Sequence, residues 1–398
     1  MGVLAQAGWG KSDKIERGLQ SGHLSGVILS PRDQAPASLA EFVQTLRGEF
    51  GENVEILFDP QFYATTVDNA RDRHLPDYPY YRSGLTRANF ISQQDVQGIA
   101  AGVIDYQTTL DLDRILSVAV RVADFNNPWS QIALSLALES VNAHSTIEGA
   151  APLLLSFVVD ESALKNREAL DEFLDIISAW EVRGFYFLVK SDTAQYPPRY
   201  EEAWLENLLY LAYVLSVVND FELVFGYSDL VGAVLHATGA KHIGTGWYNS
   251  LRQFSMNRFE PSTGGQPRRP RYTSAPLLSS IIVVPELETI SQVGLLANAL
   301  TGTAYDNVMA AAGPANANWP LNVACLHHWQ ALHELMEHVV SQGSVDSRLT
   351  EVVNQIDSAE ANYALLTGAG VVFDPTTGPR HLAAWKRAIR NFRADAGI

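Results

Sequence analysis

A closed (β/α)8 barrel with a C-terminal helical extension is the fold this sequence predicts, and three observations predict it. Eight short apolar stretches recur through the first 285 residues. Most are separated by runs of helical periodicity, and several stop abruptly at charged or turn residues. Each stretch is apolar nearly throughout instead of alternating, as strands of a parallel sheet covered on both faces are.

In order, the strands are assigned to 25–30 (SGVILS), 53–58 (NVEILF), 115–122 (ILSVAVRV), 152–159 (PLLLSFVV), 183–190 (RGFYFLVK), 219–226 (NDFELVFG), 240–244 (AKHIG) and 278–284 (LSSIIVV). Ser30-Pro31-Arg32-Asp33 breaks the first, and 36–50 reads as a helix with Ser38 and Glu41 as its capping box. A long loop at 62–90, rich in Tyr, Arg, Asp and Pro, precedes helical sequence at 92–110. A loop of that length either packs onto the rim or acts as a lid. Pro128 suits the first turn of a helix, further helices are expected at 166–180 and 200–218, and Gly239 is placed to stop another. A polar insertion at 257–276 separates the last two expected strands. The barrel thus spans 1–285, and 286–398 is read as a helical extension packed on it, with helices at 286–302, 321–342 and 346–366 and a basic terminal helix.

The chain has 398 residues, 47% of them hydrophobic and 18% charged, enough for one large barrel and an appendage. It shows no apolar run of membrane-spanning length and no signal-peptide pattern, so no membrane role and a cytoplasmic setting are expected. The single cysteine, Cys325, precludes an internal disulfide and a multi-cysteine zinc site. A net charge of −16 argues against a general nucleic-acid coat. Two basic patches run against that charge: RRPR at 268–271, and the terminal group Arg380, Lys386, Arg387, Arg390 and Arg393. The last four share one helix face. They form either a solvated stripe or a surface for a protein or nucleic-acid partner. An oligomer is compatible with these features.

In such a barrel, side chains just past the C-terminal strand ends converge on one mouth. The candidates there are Arg32 and Asp33; Asp59, Gln61, Phe62 and Tyr63; Arg121 and Asp124; Asp160 and Glu161; Lys190 and Asp192; Tyr227 and Asp229; and Gly244, Gly246 and Trp247. His236 and His242 are weaker candidates. Asp59, Asp160 and Asp192 are first choices for acid, base or nucleophile. A paired-carboxylate mouth suits cleavage at a sugar carbon. Lys190 allows Schiff-base chemistry or a plain rim salt bridge. Gly244-Thr245-Gly246 reads as a phosphate contact or a tight turn. No cofactor motif is present: GWGKSDK lacks the spacing of a dinucleotide fingerprint or P-loop. The histidine-rich helix around His327, His328, His333 and His338 fails the HExxH pattern, because HELMEH sets its histidines five apart, so no metal is assigned there.

LFDPQFY (57–63) resembles the aspartate-bearing segment of the tRNA-guanine transglycosylase-like barrels, with Asp59 matching that aspartate and Phe62 the phenylalanine. FVVDES (157–162) is similar to that family's later strand-end aspartate, which puts Asp160 on the base. The resemblance covers at most 25–285. The family's zinc cysteines and histidine, its glycine-rich base segment and its later nucleophilic aspartate have no counterpart here, so the resemblance implies a divergent member at most.

The expectation is therefore an enzyme acting on an N-glycosidic or nucleobase-bearing substrate. Asp59 and Asp160 would act at the bond, with Arg32 or Lys190 balancing negative charge. Arg121, Gln61, Phe62, Tyr63, Tyr227, Gly244, Gly246 and Trp247 would line the substrate. Two alternatives stand beside it: a non-catalytic binding or assembly barrel, and a lysine-dependent aldolase-like enzyme using Lys190.

Overall fold

A computed structural model describes residues 2–193, 195–261 and 269–398. Its first barrel strand is one the sequence reading missed. β1 (Gly2–Gln6) is buried along its whole length and pairs in parallel with β2 (Gly26–Leu29) on one side and with the last stave, His242–Thr245, on the other. The remaining staves are β3 (Glu55–Phe58), β4 (Ile115–Leu116) with β5 (Arg121–Val122), β6 (Leu153–Asp160), β7 (Gly184–Lys190), β8 (Glu222–Phe225) and β9 (His242–Thr245). All run parallel in the order β3-β2-β1-β9-β8-β7-β6-β4. β4 and β5 are two pieces of one stave on β6, and a bridge between Leu57 and Arg114 nearly closes the ring.

The stretch expected to be the eighth stave lies elsewhere. Residues 271–274 (β10, Arg271–Ser274) and 279–282 (β11, Ser279–Ile282) form a separate antiparallel hairpin. Its β-prone sequence is satisfied by a partner across a short local turn, which is reached at lower entropic cost than a distant stave. The last stave ends at Thr245. Of the insertion expected at 257–276, residues 262–268, with Arg268 of the RRPR patch, lie outside the described residues.

Helices α1 (Lys14–Gln20), α2 (Pro36–Phe50), α3 (Gln93–Thr108), α4 (Pro128–Ser145), α5 (Arg167–Ser178), α6 (Glu202–Tyr213) and α7 (Val231–Ala237) alternate with the staves. α4 starts as its sequence demands: Pro128 needs no N–H partner there, and the Asn127 side chain accepts Trp129 N–H at 3.1 Å. α2 departs from expectation, because it begins at Pro36 behind Ala35 and has no side-chain cap. Ser38 therefore sits inside the first turn and forms no capping box. Gly239, at φ +112°, carries the turn after α7 as expected. Beyond the hairpin come α8 (Glu288–Gln292), α9 (Asp306–Ala312), α10 (Leu321–Val340), α11 (Val345–Gly368) and α12 (Arg380–Ala396). No helix among the described residues is long and apolar enough to cross a membrane.

The N-terminal end of the barrel is held by one buried carboxylate. Glu222, at the start of β8, accepts two bonds from Arg114 at 3.0 Å, one from Arg183 at 3.1 Å, and pairs with Lys241 at 3.1 Å. These cations precede β4, β7 and β9, so a single side chain ties four staves together. Two glycines make room at this level. A Cβ on Gly184 would stand 1.9 Å from the Glu222 carbonyl oxygen, and one on Gly26 would stand 2.0 Å from that of Glu55. Removing one partner from a buried ion cluster strands the others at a cost of about 3–5 kcal/mol. Glu222→Ala is expected to lower unfolding stability by about that amount in urea titration, and a loss under about 1 kcal/mol would contradict the assignment.

Candidate functional site

The C-terminal ends of β1, β2 and β9, with the loops behind them, enclose a cavity of about 890 Å³. Trp9, Arg32, Asp33, Arg71, Arg73, Tyr196, Tyr248, Gln253 and Arg258 line it. Asp33 is the one carboxylate among the described residues that line it. Arg258 donates to Asp33, and Arg32 and Arg73 each reach it at 3.2 Å. Ser30 adds a hydroxyl donor at 2.9 Å. Three guanidinium groups thus share one side chain that is 2% exposed.

The surroundings hold this cluster rigidly. Gln61 accepts Arg32 N–H at 3.1 Å and donates to Ser30 at 3.0 Å and to the Tyr227 hydroxyl at 3.2 Å. Arg258 also donates to Tyr227 at 3.1 Å. Gln61, Arg73 and Tyr227 all adopt positive φ (+53°, +50° and +51°), a conformation that costs a non-glycine residue energy and recurs at binding sites. Arg32 also donates to the Arg71 carbonyl at 3.0 Å, so the long loop and the rim share one network. Burial, then the adjacent Arg258 charge and that of Arg73, press the Arg32 guanidinium down to about 10. Burial alone would lower Arg258 too, but Tyr227, Asp33 and Tyr63 outweigh it and hold it firmly charged. Like charges crowded this way favour the arrival of an anion.

The loop 62–90 serves two roles. Tyr78 and Tyr80 pack with Phe58 and Tyr106 in one aromatic cluster, while Arg71 and Arg73 project to the cavity. Across the mouth Trp9 is 64% exposed, and the buried Trp247 indole donates to its carbonyl at 3.0 Å. Trp247 supports Trp9 and does not itself line the cavity.

The carboxylates singled out in the sequence fall into separate groups. Asp59 is buried in the barrel interior, accepting from Tyr63 at 2.8 Å and from the Gln61 N–H at 3.0 Å. Burial raises it to about 6, against the pull of those hydrogen bonds and of Arg258. Tyr63, pinned between Phe254 and Phe259, lies over it, and the recess beside it has no room for a water molecule. Phe62 is likewise buried in that wall. Asp160 is clamped by Arg121 at 2.5 and 2.8 Å and by Lys190 at 3.3 Å, and Lys190 also reaches Asp192 at 3.3 Å. Asp59 therefore does not share a pocket with Asp160, Lys190 and Asp192. Lys190 lies within reach of two carboxylates, the rim salt-bridge arrangement expected as the plain reading of this residue. Glu161, next in the chain, differs from Asp160. Burial raises it to about 7, with the Asp192 charge adding and the Asp192 N–H and Ser191 opposing. It lines a separate small recess of about 50 Å³, which shares Gln253 with the main cavity.

Several other expectations change. A Cβ on Gly244 would meet Ile28 at 2.6 Å, and one on Gly246 would meet Leu251 at 2.5 Å and the Gln6 carbonyl at 2.6 Å. Both glycines answer to packing inside the chain, and neither lines the cavity. His242 starts β9 at the opposite end of the barrel, and His236 is buried with Nδ1 on the Ala240 carbonyl. His327 and His328 are locked against Thr273, Thr303 and Thr245. Glu55, Glu222 and His242 lie close enough to ligate a cation. Burial would raise Glu55, but the His242 hydrogen bond and the His242, Lys241 and Arg114 charges overcome it and set it near 2. With Glu222 already sharing three cations, that cluster is neutralised from within. In the C-terminal stripe, Lys386 pairs with Asp357, Arg387 with Glu202 and Arg393 with Asp346, joining α12 to its neighbours.

Trp9, Arg71, Arg73, Tyr196, Tyr248, Gln253 and Arg258 are mouth residues that sequence reading missed. A strand assigned to 2–6 would have put Gly8 and Trp9 just beyond its C-terminal end. An eighth stave ending at 245 would have made 246–259 a rim loop. Comparison with known protein families and with curated proteins returns no match for this chain.

Glu161 keeps its proton to about 7 in the folded protein but only to the ordinary 4.5 when unfolded. Folding therefore takes up a proton between those values, and its contribution to stability is lost as pH rises through that window. Urea titrations between pH 5 and 7 are expected to give Glu161→Gln a smaller loss of stability with rising pH than the unmodified chain. Equal slopes would contradict the assignment.

Proposed function

We propose that the mouth binds a nucleotide-class substrate and that the protein is an enzyme acting on its N-glycosidic bond. The observation that carries this reading is the convergence of four arginines and one carboxylate on a cavity rimmed by Trp9, in a chain of net charge −16. Exposed Arg71 and Arg73 suit a phosphate, which Arg guanidinium groups bind through paired, charge-assisted hydrogen bonds. Trp9, 64% exposed, offers a face for a base to stack on. The volume of about 890 Å³ accommodates a ligand of that size. Release of the base breaks its bond to the sugar, with water adding at the sugar carbon and a proton passing to the base; Glu161, in the recess that adjoins the cavity at Gln253 and raised by burial to about 7, is the donor this reading assigns.

A second reading, binding without turnover, is favoured by one feature: Asp59 is sealed under Tyr63, and Asp160 is clamped by Arg121 and Lys190. Base release separates the two. A nucleotide panel assayed by chromatography should yield free base, with the rate falling at least about a hundredfold in Glu161→Gln. No release from any nucleotide that binds would leave the binding reading in place.

Binding has its own test. A charged hydrogen bond is worth about 1.5–3 kcal/mol, so Arg73→Gln should weaken nucleoside monophosphate binding roughly tenfold or more by calorimetry. Trp9→Ala should weaken the nucleotide but leave inorganic phosphate binding at the mouth unchanged. Unaltered affinity in both variants would remove the mouth as the site.

A further inference from the structure

The recess that Glu161 lines also holds a buried cation without a counter-ion. Arg252 is 6% exposed and shares the walls of this recess with Glu161, Asp229 and Gln253. Its Nε donates to the Gly246 carbonyl at 2.8 Å. That bond fixes the guanidinium in place but does not neutralise it. Among the described residues the two terminal nitrogens have no hydrogen-bond partner, and Arg252 forms no ion pair. Neither nitrogen is sealed off by the atoms around it, and the recess is the described cavity that Arg252 lines.

The carboxyl groups of the recess do not supply the missing charge. Asp229 is engaged by the Tyr196 hydroxyl at 2.6 Å and by the Leu230 N–H, and burial raises it more than the Arg252 charge lowers it. Glu161 is raised by burial to about 7, so in mildly acid solution it carries a proton. A guanidinium, by contrast, stays charged, and a buried charge without a partner is expensive to keep. The recess therefore presents one fixed positive charge that calls for an anion. At about 50 Å³ it has room for an ion of halide size and is far too small for a nucleotide.

We propose that this recess is a binding site for one small monovalent anion, of the chloride class, held by the terminal nitrogens of Arg252. The site is independent of the nucleotide reading of the mouth, because what it needs is the Arg252 charge. Gln253 stands in the walls of both cavities.

Crystals of the full chain grown in bromide at mildly acid pH, measured at the bromine absorption edge, locate the ion by its anomalous scattering. A peak is expected in the recess against Arg252. Arg252→Gln should lose it while any bromide at the mouth arginines persists, and the Gln amide can still donate to the Gly246 carbonyl. Urea unfolding in chloride and in gluconate at equal ionic strength gives the second readout. Chloride should raise the midpoint of the unmodified chain and of Arg73→Gln by the same increment, and that of Arg252→Gln by less. A recess that is empty or holds only water would overturn the site, and the unmodified crystal decides this even if Arg252→Gln does not fold. An equal chloride increment in Arg252→Gln would overturn it as well. Bromide in the recess with no chloride increment in solution is an adventitious ion only, and would also overturn the site.

Discussion

One buried carboxylate, Asp33, organises the C-terminal face of the barrel. It draws Arg32, Arg73 and Arg258 together from three segments that are far apart in sequence. A single negative charge does not balance three positive ones, and burial makes the surplus expensive. The chain meets that cost with neutral donors and acceptors. Gln61 and Tyr227, both held at positive φ, orient Arg32 and Arg258 and do not themselves line the cavity. What results is an under-neutralised basic mouth on an acidic protein.

The two ends of the barrel follow opposite electrostatic logic. At the N-terminal end Glu222 meets Arg114, Arg183 and Lys241 among packed staves. Those charges satisfy one another and serve stability. In the cavity at the C-terminal end, cations outnumber the one lining carboxylate and border open volume, with an exposed indole alongside. This matches the division of labour expected of the architecture, in which the C-terminal end carries ligands and the other end carries stability.

The barrel was legible because its strands are continuous apolar runs and its helices carry clear start and stop signals, as Pro128 and Gly239 show. The register of the staves was not. Gly2–Gln6 is short and has no turn signal before it, whereas 278–284 looks more strand-like than several true staves. Choosing the latter over the former moved the whole count by one and hid Trp9 and Arg258. Arg32, Gln61 and Tyr227 were found because strand-end position alone marks them. The fate of Asp59 could not be read from sequence, since it depends on whether Tyr63 folds over it, which is a matter of packing between distant loops. The separation of Asp160 from its neighbour Glu161 depends likewise on which side chain meets Arg121 and Lys190.

The account stands most directly on where a phosphate comes to rest. A crystal structure of the protein grown with a nucleoside 5′-monophosphate is the measurement that decides it. The account predicts the phosphate in contact with Arg71 and Arg73, and the base against Trp9 in the cavity above Asp33. A nucleotide bound away from that cavity, or one in it with its phosphate turned away from the arginines, would contradict it.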